Sequence, residues 1–388
     1  MELRGNWRIP TEILAGAGRI AELPERVKAA GVTRVLVVTD PGVAGQPFFA
    51  GILASLERAG IAATIFKDLH PDPQAGDVAA GAAAYKAHNA EAIIAIGGGS
   101  GLDCGKSVGL AVSTSRPLWD FEITLATPDL DRPIPPIFAV PTTAGTGSEV
   151  GRATVVIDTG KRRKYILLHA QMLPRLVILD PELTYGLPPF ITAWTGMDAL
   201  AHSLEAFYGP FYHPIADGIA IEGMRLVKEN LVTAVNEPHN PVARMNMLAA
   251  ASMGATAFQK ALGAIHSLSH PIGARFHAHH GLTNAVLMPY VLSFNRPFIE
   301  AKIAYAAQAL GIPNGFDGFL AWILALRAEL NIPNTLDSLK VTPDALEELA
   351  AEAFADPNTP DNPRPATAAD MLRILQAAMA GTLSGLGD

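Results

Sequence analysis

AIIAIGGGSGLDCGKSVGL, residues 92–110, reads as a strand, a turn of three glycines and a serine, and a helix opening near Leu102. An apolar run without polar alternation is what a strand covered on both faces requires. Glycines at such a turn let backbone N–H groups come close to a pyrophosphate, and the helix N-terminus behind them favours negative charge. A tight strand-to-helix turn with no ligand satisfies the same pattern, so the neighbouring segments must decide.

Working outward, RVLVVTD (34–40), PIFAVPTTAGTGSE (136–149) and RLVILDPEL (175–183) are further apolar runs, and helical segments at 47–59 and 77–89 alternate with them. This alternation predicts an α/β domain with a mainly parallel sheet and helices on its faces. The runs 153–158 and 163–168, joined through DTGKRR, read as an antiparallel hairpin. A second Gly/Thr loop, PTTAGTGSE (141–149), follows its own strand, so both loops emerge at the carboxyl edge where open α/β sheets bind ligands. Asp40, directly after RVLVVT, can accept from ribose hydroxyls and repel a 2′-phosphate, and it equally suits an ordinary Asp-Pro turn.

After GLPPF (186–190) strand-like runs almost disappear and Ala/Leu-rich helical periodicity takes over. The expected division is an α/β domain over 1–185 and an all-α domain over 186–388. ADPNTPDNPRPAT (355–367) reads as an ordered loop before a last helix at 367–380.

The 388 residues are 49% hydrophobic and carry a formal net charge of −8, which describes a folded chain ill suited to nucleic acid or an anionic membrane surface. The basic run KRRKY (161–165) reads as a solvated hairpin face. One cysteine, Cys104, excludes an intrachain disulfide and points to a reducing compartment. With no leader-like N-terminus and no apolar stretch of bilayer length, a cytoplasmic protein is expected.

In the helical half, GMDALAHSLEAFYGP (196–210) places Asp198 and His202 four residues apart on one helix face. HSLSHPIGARFHAHH (266–280) adds His266, His270, His277, His279 and His280, with Pro271 expected to end or kink the helix that carries the first two. Imidazoles with one carboxylate suit a first-row divalent ion such as Fe²⁺ or Zn²⁺. Spacing alone leaves open which of the histidines bind and which of the two metals is held.

These segments, with VILDPELTYGLP, GAIHSLSHPIGA, HHGLTNAVLMPYV and the closing NPRP, resemble the iron-containing (group III) alcohol dehydrogenases nearly end to end. The resemblance implies an N-terminal α/β domain that binds NAD(P), a helical C-terminal domain that binds the metal, an active site in the cleft between them, and self-association into a homodimer or larger homo-oligomer. Matched motif to motif, it implies Asp198, His202, His266 and His280 as metal ligands and His270 as an additional active-site histidine. For the nucleotide it implies Gly97, Gly98, Gly99, Ser100 and Asp103, with Lys106 behind them, then Thr142, Thr143, Ser148 and Lys164, and Asp40 as the residue favouring NAD over NADP.

The expected reaction is hydride transfer between a small alcohol or aldehyde and NAD(H). The metal would lower the pKa of the alcohol oxygen, and His270 or His277 would relay the proton. Two departures from the family pattern, Gly151-Arg152 after SEV where Thr is common and Lys260 in place of a small polar residue, open the alternative of a hydroxy-acid dehydrogenase or transhydrogenase in which Arg152 or Lys260 pairs the substrate carboxylate. The glycerol dehydrogenase and dehydroquinate synthase-like branch shares the two-domain plan, but PTTAGTGSE and GMDALAHSLEA favour the alcohol dehydrogenase branch.

Overall fold

A computed structural model describes residues 11–161 and 163–387. The first ten residues, part of the stretch read above for a leader, lie outside it, as does Arg162 of the basic run. The chain divides into two compact units, residues 11–187 with 238–248 and residues 188–237 with 249–387. A single cut near residue 186 is thus incomplete, since 238–248 group with the first unit.

The first unit holds strands β1 (Glu12–Ala15), β2 (Arg34–Val38), β3 (Ala62–Phe66), β4 (Ala92–Gly97), β5 (Ile137–Pro141), β6 (Ala153–Asp158), β7 (Arg163–Leu168) and β8 (Leu176–Leu179). Its helices are α1 (Leu23–Ala29), α2 (Pro41–Ala44), α3 (Pro47–Arg58), α4 (Ala75–Ala87) and α5 (Gly99–Ala111). Six strands form one parallel sheet in the order β1-β8-β5-β4-β2-β3, and β6 pairs antiparallel with β7. Alternate residues of the central strands feed two cores. Val35, Val37, Ile94 and Ile96 pack with Leu23, Phe49 and Leu56 of α1 and α3, whereas Leu36, Val38 and Ile93 pack with Val78, Cys104 and Val108 of α4 and α5.

The chain leaves β2 for β3 on one side and returns to β4 on the other. This reversal puts the sheet's topological switch point at the carboxyl ends of β2 and β4, the place where doubly wound sheets receive ligands. Asp40 follows β2 there and Gly97 ends β4.

The second unit is helical: α6 (Pro189–Tyr208), α7 (Pro214–Asn236), the later part of α8 (Pro241–Ala257), α9 (Ala264–Phe276), α10 (His280–Ala309), α11 (Gly315–Glu329), α12 (Leu346–Phe354) and α13 (Ala368–Ala380). Every residue of α6 from Thr195 to Tyr208 is buried, as expected for a helix surrounded by others. The first turn of α10 lies hard against α6, because a Cβ on Gly281 would stand 2.2 Å from the Trp194 carbonyl oxygen, and only glycine permits that approach. Of the two outcomes expected at Pro271, an end or a kink, α9 does not take the first. It runs on to Phe276 and ends at His277, which takes the left-handed conformation with φ 52°. Buried neighbours on both sides of Pro271 (Ser269 before it, Ile272 and Gly273 after it) hold the helix together despite the missing N–H. Thr367 and Asp370 form a reciprocal cap at the start of α13, where the 355–367 loop was expected to end. Among the described residues no helix is long and apolar enough to cross a membrane.

Cys104 is buried in the core under α5, and burial, reinforced by the Asp77 and Asp103 charges, pushes its thiol up to about 12. The native protein is therefore expected to resist iodoacetamide at neutral pH and to be alkylated only on unfolding. Stoichiometric labelling of the folded chain, read by intact mass, would show that this core opens.

Candidate metal centre and nucleotide loops

Asp198 and His202 lie one turn apart on α6, His266 sits on α9 and His280 opens α10. Each offers one ligand atom, and the four atoms lie within 4.8 Å of one another. Asp198 Oδ1 is 3.8 Å from His202 Nε2 and 3.6 Å from His280 Nε2. A tetrahedron with metal–ligand bonds of about 2.1 Å has edges of about 3.4 Å, so the spacing suits a first-row divalent ion. Three imidazoles with one carboxylate are also the donor chemistry such an ion takes.

A residue that sequence reasoning missed fixes the direction of one ligand. Glu205, fully buried on α6, lies 2.5 Å from His266 Nδ1 and accepts further hydrogen bonds from the Ile265 N–H at 2.8 Å and the Tyr208 hydroxyl at 3.2 Å. Its carboxylate holds Nδ1 of His266 and turns Nε2 toward the other ligands. Burial alone would lower the His266 imidazolium, but the adjacent Glu205 charge and hydrogen bond outweigh it and raise the group above its ordinary value. The available signal was spacing, since 198, 202 and 205 fall on one face of a helix.

His270 joins the cluster from its edge. Its ring stacks on His280 with centroids 5.6 Å apart, and its Nδ1 lies 2.7 Å from Asp356 Oδ2. His277, expected as an alternative relay, is exposed at the end of α9 and is not brought into the cluster.

Lys260, expected near substrate, is paired within the helical unit. The side chain is 0% exposed, pairs with Asp217 and donates to the Phe207 carbonyl at 2.9 Å. Its charge is matched by Asp217. Lys302 of α10 joins it, donating to the Gly209 carbonyl at 2.8 Å with those of Phe207 and Tyr208 at 3.3 and 3.4 Å. Burial and then the Lys260 charge draw the Lys302 ammonium down to about 8. Together the two lysines cap the carbonyl end of α6.

In the first unit, α5 begins at Gly99 behind Gly98, and no side chain caps it, so its leading N–H groups are available to an anion. The two loops touch: Thr142 N–H donates to the Gly97 carbonyl at 2.9 Å, and a Cβ on Gly99 would stand 2.7 Å from Thr146 Cγ2. Thr143 packs likewise against Gly98. Asp40 caps α2 through Val43 N–H at 2.9 Å, while its Oδ2 lies 3.4 Å from where a Gly97 Cβ would be. Asp40 thus forms the turn into α2 and also lies beside the carboxyl end of β4.

Other residues of the expected nucleotide set brace the loops. Asp103 accepts from Ser148 Oγ at 2.5 Å and from Val155 N–H at 2.9 Å, and the buried Lys106 donates to the Ser148 carbonyl at 2.9 Å and also to that of Ala153. Ser100 Oγ donates to the Pro71 carbonyl. Lys164, expected to face the cofactor, pairs with Asp72 at 2.7 Å. Arg152 lies half-buried between the second loop and β6.

Glu205→Gln keeps the shape of the side chain and removes the charge that orients His266. It is expected to weaken divalent-metal affinity about 10- to 100-fold, measured by chelator competition, with the far-ultraviolet dichroism unchanged. Unaltered affinity would show that Glu205 only fills space.

Residues 10–181 match the iron-containing alcohol dehydrogenase family, and residues 192–379 match the C-terminal region of the same family. The 4-hydroxybutyrate dehydrogenase of Cupriavidus necator is 35% identical over 95% of this chain and 98% of its own length. Among solved structures, a 1,3-propanediol oxidoreductase superposes with a TM-score of 0.91 at 33% identity, covering 96% of this chain and 99% of that one. A sulfoacetaldehyde reductase from Bifidobacterium kashiwanohense, solved in complex with NAD⁺, superposes with a TM-score of 0.90 at 28% identity, covering 99% and 100%. With its two halves matched in order and its helical unit gathering three imidazoles and a carboxylate, the chain belongs to the iron-containing alcohol dehydrogenase family.

Proposed function

We propose that this protein is a metal-dependent alcohol dehydrogenase and aldehyde reductase that exchanges hydride between a small alcohol and NAD(H). The observation that carries the reading is the convergence of Asp198, His202, His266 and His280 in a chain of this family. A bound divalent cation supplies Lewis acidity toward an alcohol or carbonyl oxygen, and NAD supplies the hydride acceptor.

The remaining work falls to the chain. The four ligands would hold the cation, and Glu205 keeps the His266 ring in place for it. His270, with Nδ1 engaged by Asp356, is left with Nε2 to exchange the proton released from the alcohol, and the Asp356 carboxylate would stabilise the imidazolium formed in that step. The uncapped start of α5 would bind the pyrophosphate, and the contacts between the glycine and threonine loops keep its N–H groups converged. Asp40 would accept from the ribose and disfavour a 2′-phosphate.

A hydroxy-acid substrate is the second reading. It is favoured by the resemblance to 4-hydroxybutyrate dehydrogenase and by Arg152, which follows the second loop. A cytoplasmic setting is supported by the lone buried Cys104, and a homo-oligomer is the expectation from the family.

The test is a panel of short alcohols, aldehydes and 4-carbon hydroxy acids, run with Fe²⁺ or Zn²⁺ and with either cofactor. Metal- and substrate-dependent change in NADH absorbance is expected, and chelation should abolish it. Binding of NADH with no turnover of any substrate under either metal would refute the enzymatic reading. If acids are the better substrates, Arg152→Ala should raise their KM about tenfold or more and leave alcohols unaffected, because a charge-assisted hydrogen bond is lost. Asp40→Ser keeps an oxygen at the start of α2 but removes the charge. It is expected to lower the KM for NADP about tenfold or more with little loss of stability. A KM ratio that stays put would assign cofactor choice to other residues.

A further inference from the structure

Asn284 lies on α10 one turn after His280 and is 0% exposed. Its Nδ2 is 2.8 Å from Asp198 Oδ1, 3.1 Å from His280 Nε2 and 3.3 Å from His266 Nε2. One end of the carboxamide therefore faces three of the four candidate ligand atoms. The other end, Oδ1, is buried with no hydrogen-bond partner among the described residues. An unsatisfied buried acceptor costs about 1–3 kcal/mol, so its presence in a side chain whose other end faces the candidate ligand atoms calls for a cause.

The two ends of a carboxamide are almost the same shape, and a half-turn about the last torsion exchanges them. The amino end competes with a cation, since both seek the lone pairs of Asp198, His266 and His280. The carbonyl end does the opposite, offering a neutral oxygen of the kind that first-row divalent ions accept. The side chain is carried by the same rigid helix as His280, so the half-turn needs no movement of the backbone.

We propose that Asn284 Oδ1 is a fifth protein donor to the cation held by Asp198, His202, His266 and His280. The inference rests on the metal reading given under Proposed function and adds to it a basis for metal choice. Zn²⁺ is content with four ligands, whereas Fe²⁺ and Mn²⁺ fill further positions and favour oxygen. A fifth donor therefore shifts the balance toward the latter pair.

The test compares the wild-type chain with Asn284→Leu and Asn284→Asp, measuring Mn²⁺ and Zn²⁺ affinities by chelator competition and the visible spectrum of the Co²⁺-loaded proteins. Asn284→Leu is expected to lose about tenfold or more in Mn²⁺ affinity, with a smaller loss for Zn²⁺, and its Co²⁺ bands should intensify as coordination number falls. Asn284→Asp supplies an oxygen in either orientation and should bind Mn²⁺ at least as tightly as wild type. If Asn284 served only to donate to Asp198, Asn284→Asp would set two carboxylates against each other and lose affinity as Asn284→Leu does, and that result overturns the proposal. Asn284→Asp keeps the test decisive should Asn284→Leu not fold. Wild-type and Asn284→Leu proteins with equal affinities and spectra would overturn the fifth-donor role alone. A wild-type chain that takes up none of the three metals would overturn the metal reading as well.

Discussion

A buried carboxylate set against a buried imidazole is the constraint on which the metal centre depends. Removing a charge from water costs several kcal/mol, so a carboxylate buried in such a place needs hydrogen-bond partners. Glu205 meets the imidazole of His266, a backbone N–H and a tyrosine hydroxyl, so its oxygens are occupied from α9 and from its own helix. The arrangement links the start of α9 to α6 and leaves His266 one orientation. Asp198 and His202 extend the same face of α6 toward that ring, and His280 reaches it because Gly281 lets α10 come in close.

The sheet unit solves a different problem with a similar economy of parts. Its ligand-facing edge is made where the chain reverses direction between β2 and β4, and the loops that leave β4 and β5 lock together through glycine and threonine. Most of the charged residues nearby are used internally. Asp103 and Lys106 bind the second loop and the hairpin to α5, and Lys164 is matched by Asp72. What remains for an anion is mainly backbone, namely the leading N–H groups of α5. Backbone donors suit a phosphate because their positions are set by the helix and not by flexible side chains.

The central strands were legible because they are covered on both faces and so read as unbroken apolar runs. β1 and β3 were not, since each lies at an edge with a single neighbour and mixes exposed with buried positions in Glu12–Ala15 and Ala62–Phe66. The candidate ligand set was reachable through motif order, and the structure brings those four residues together. Partner choice was not reachable. Lys260 and Lys164 look like free cations in one dimension, and only the fold shows that Asp217 and Asp72 await them. Glu205 was hidden for the converse reason, because an acid among helix formers reads as a surface residue until three donors are found around it.

Lys302 gives α10 a second hold on α6, a full turn beyond the last ligand-orienting residue and far along the chain from His280. Two long rods joined near both ends behave as a truss, in which neither can slide past the other without breaking both joints. Ligands mounted on such a frame have little backbone freedom to suit whichever ion arrives. A cation of the wrong radius or preferred geometry would have to bend helices to be accommodated, so discrimination among ions becomes a mechanical property of the bundle as well as a chemical property of its donors.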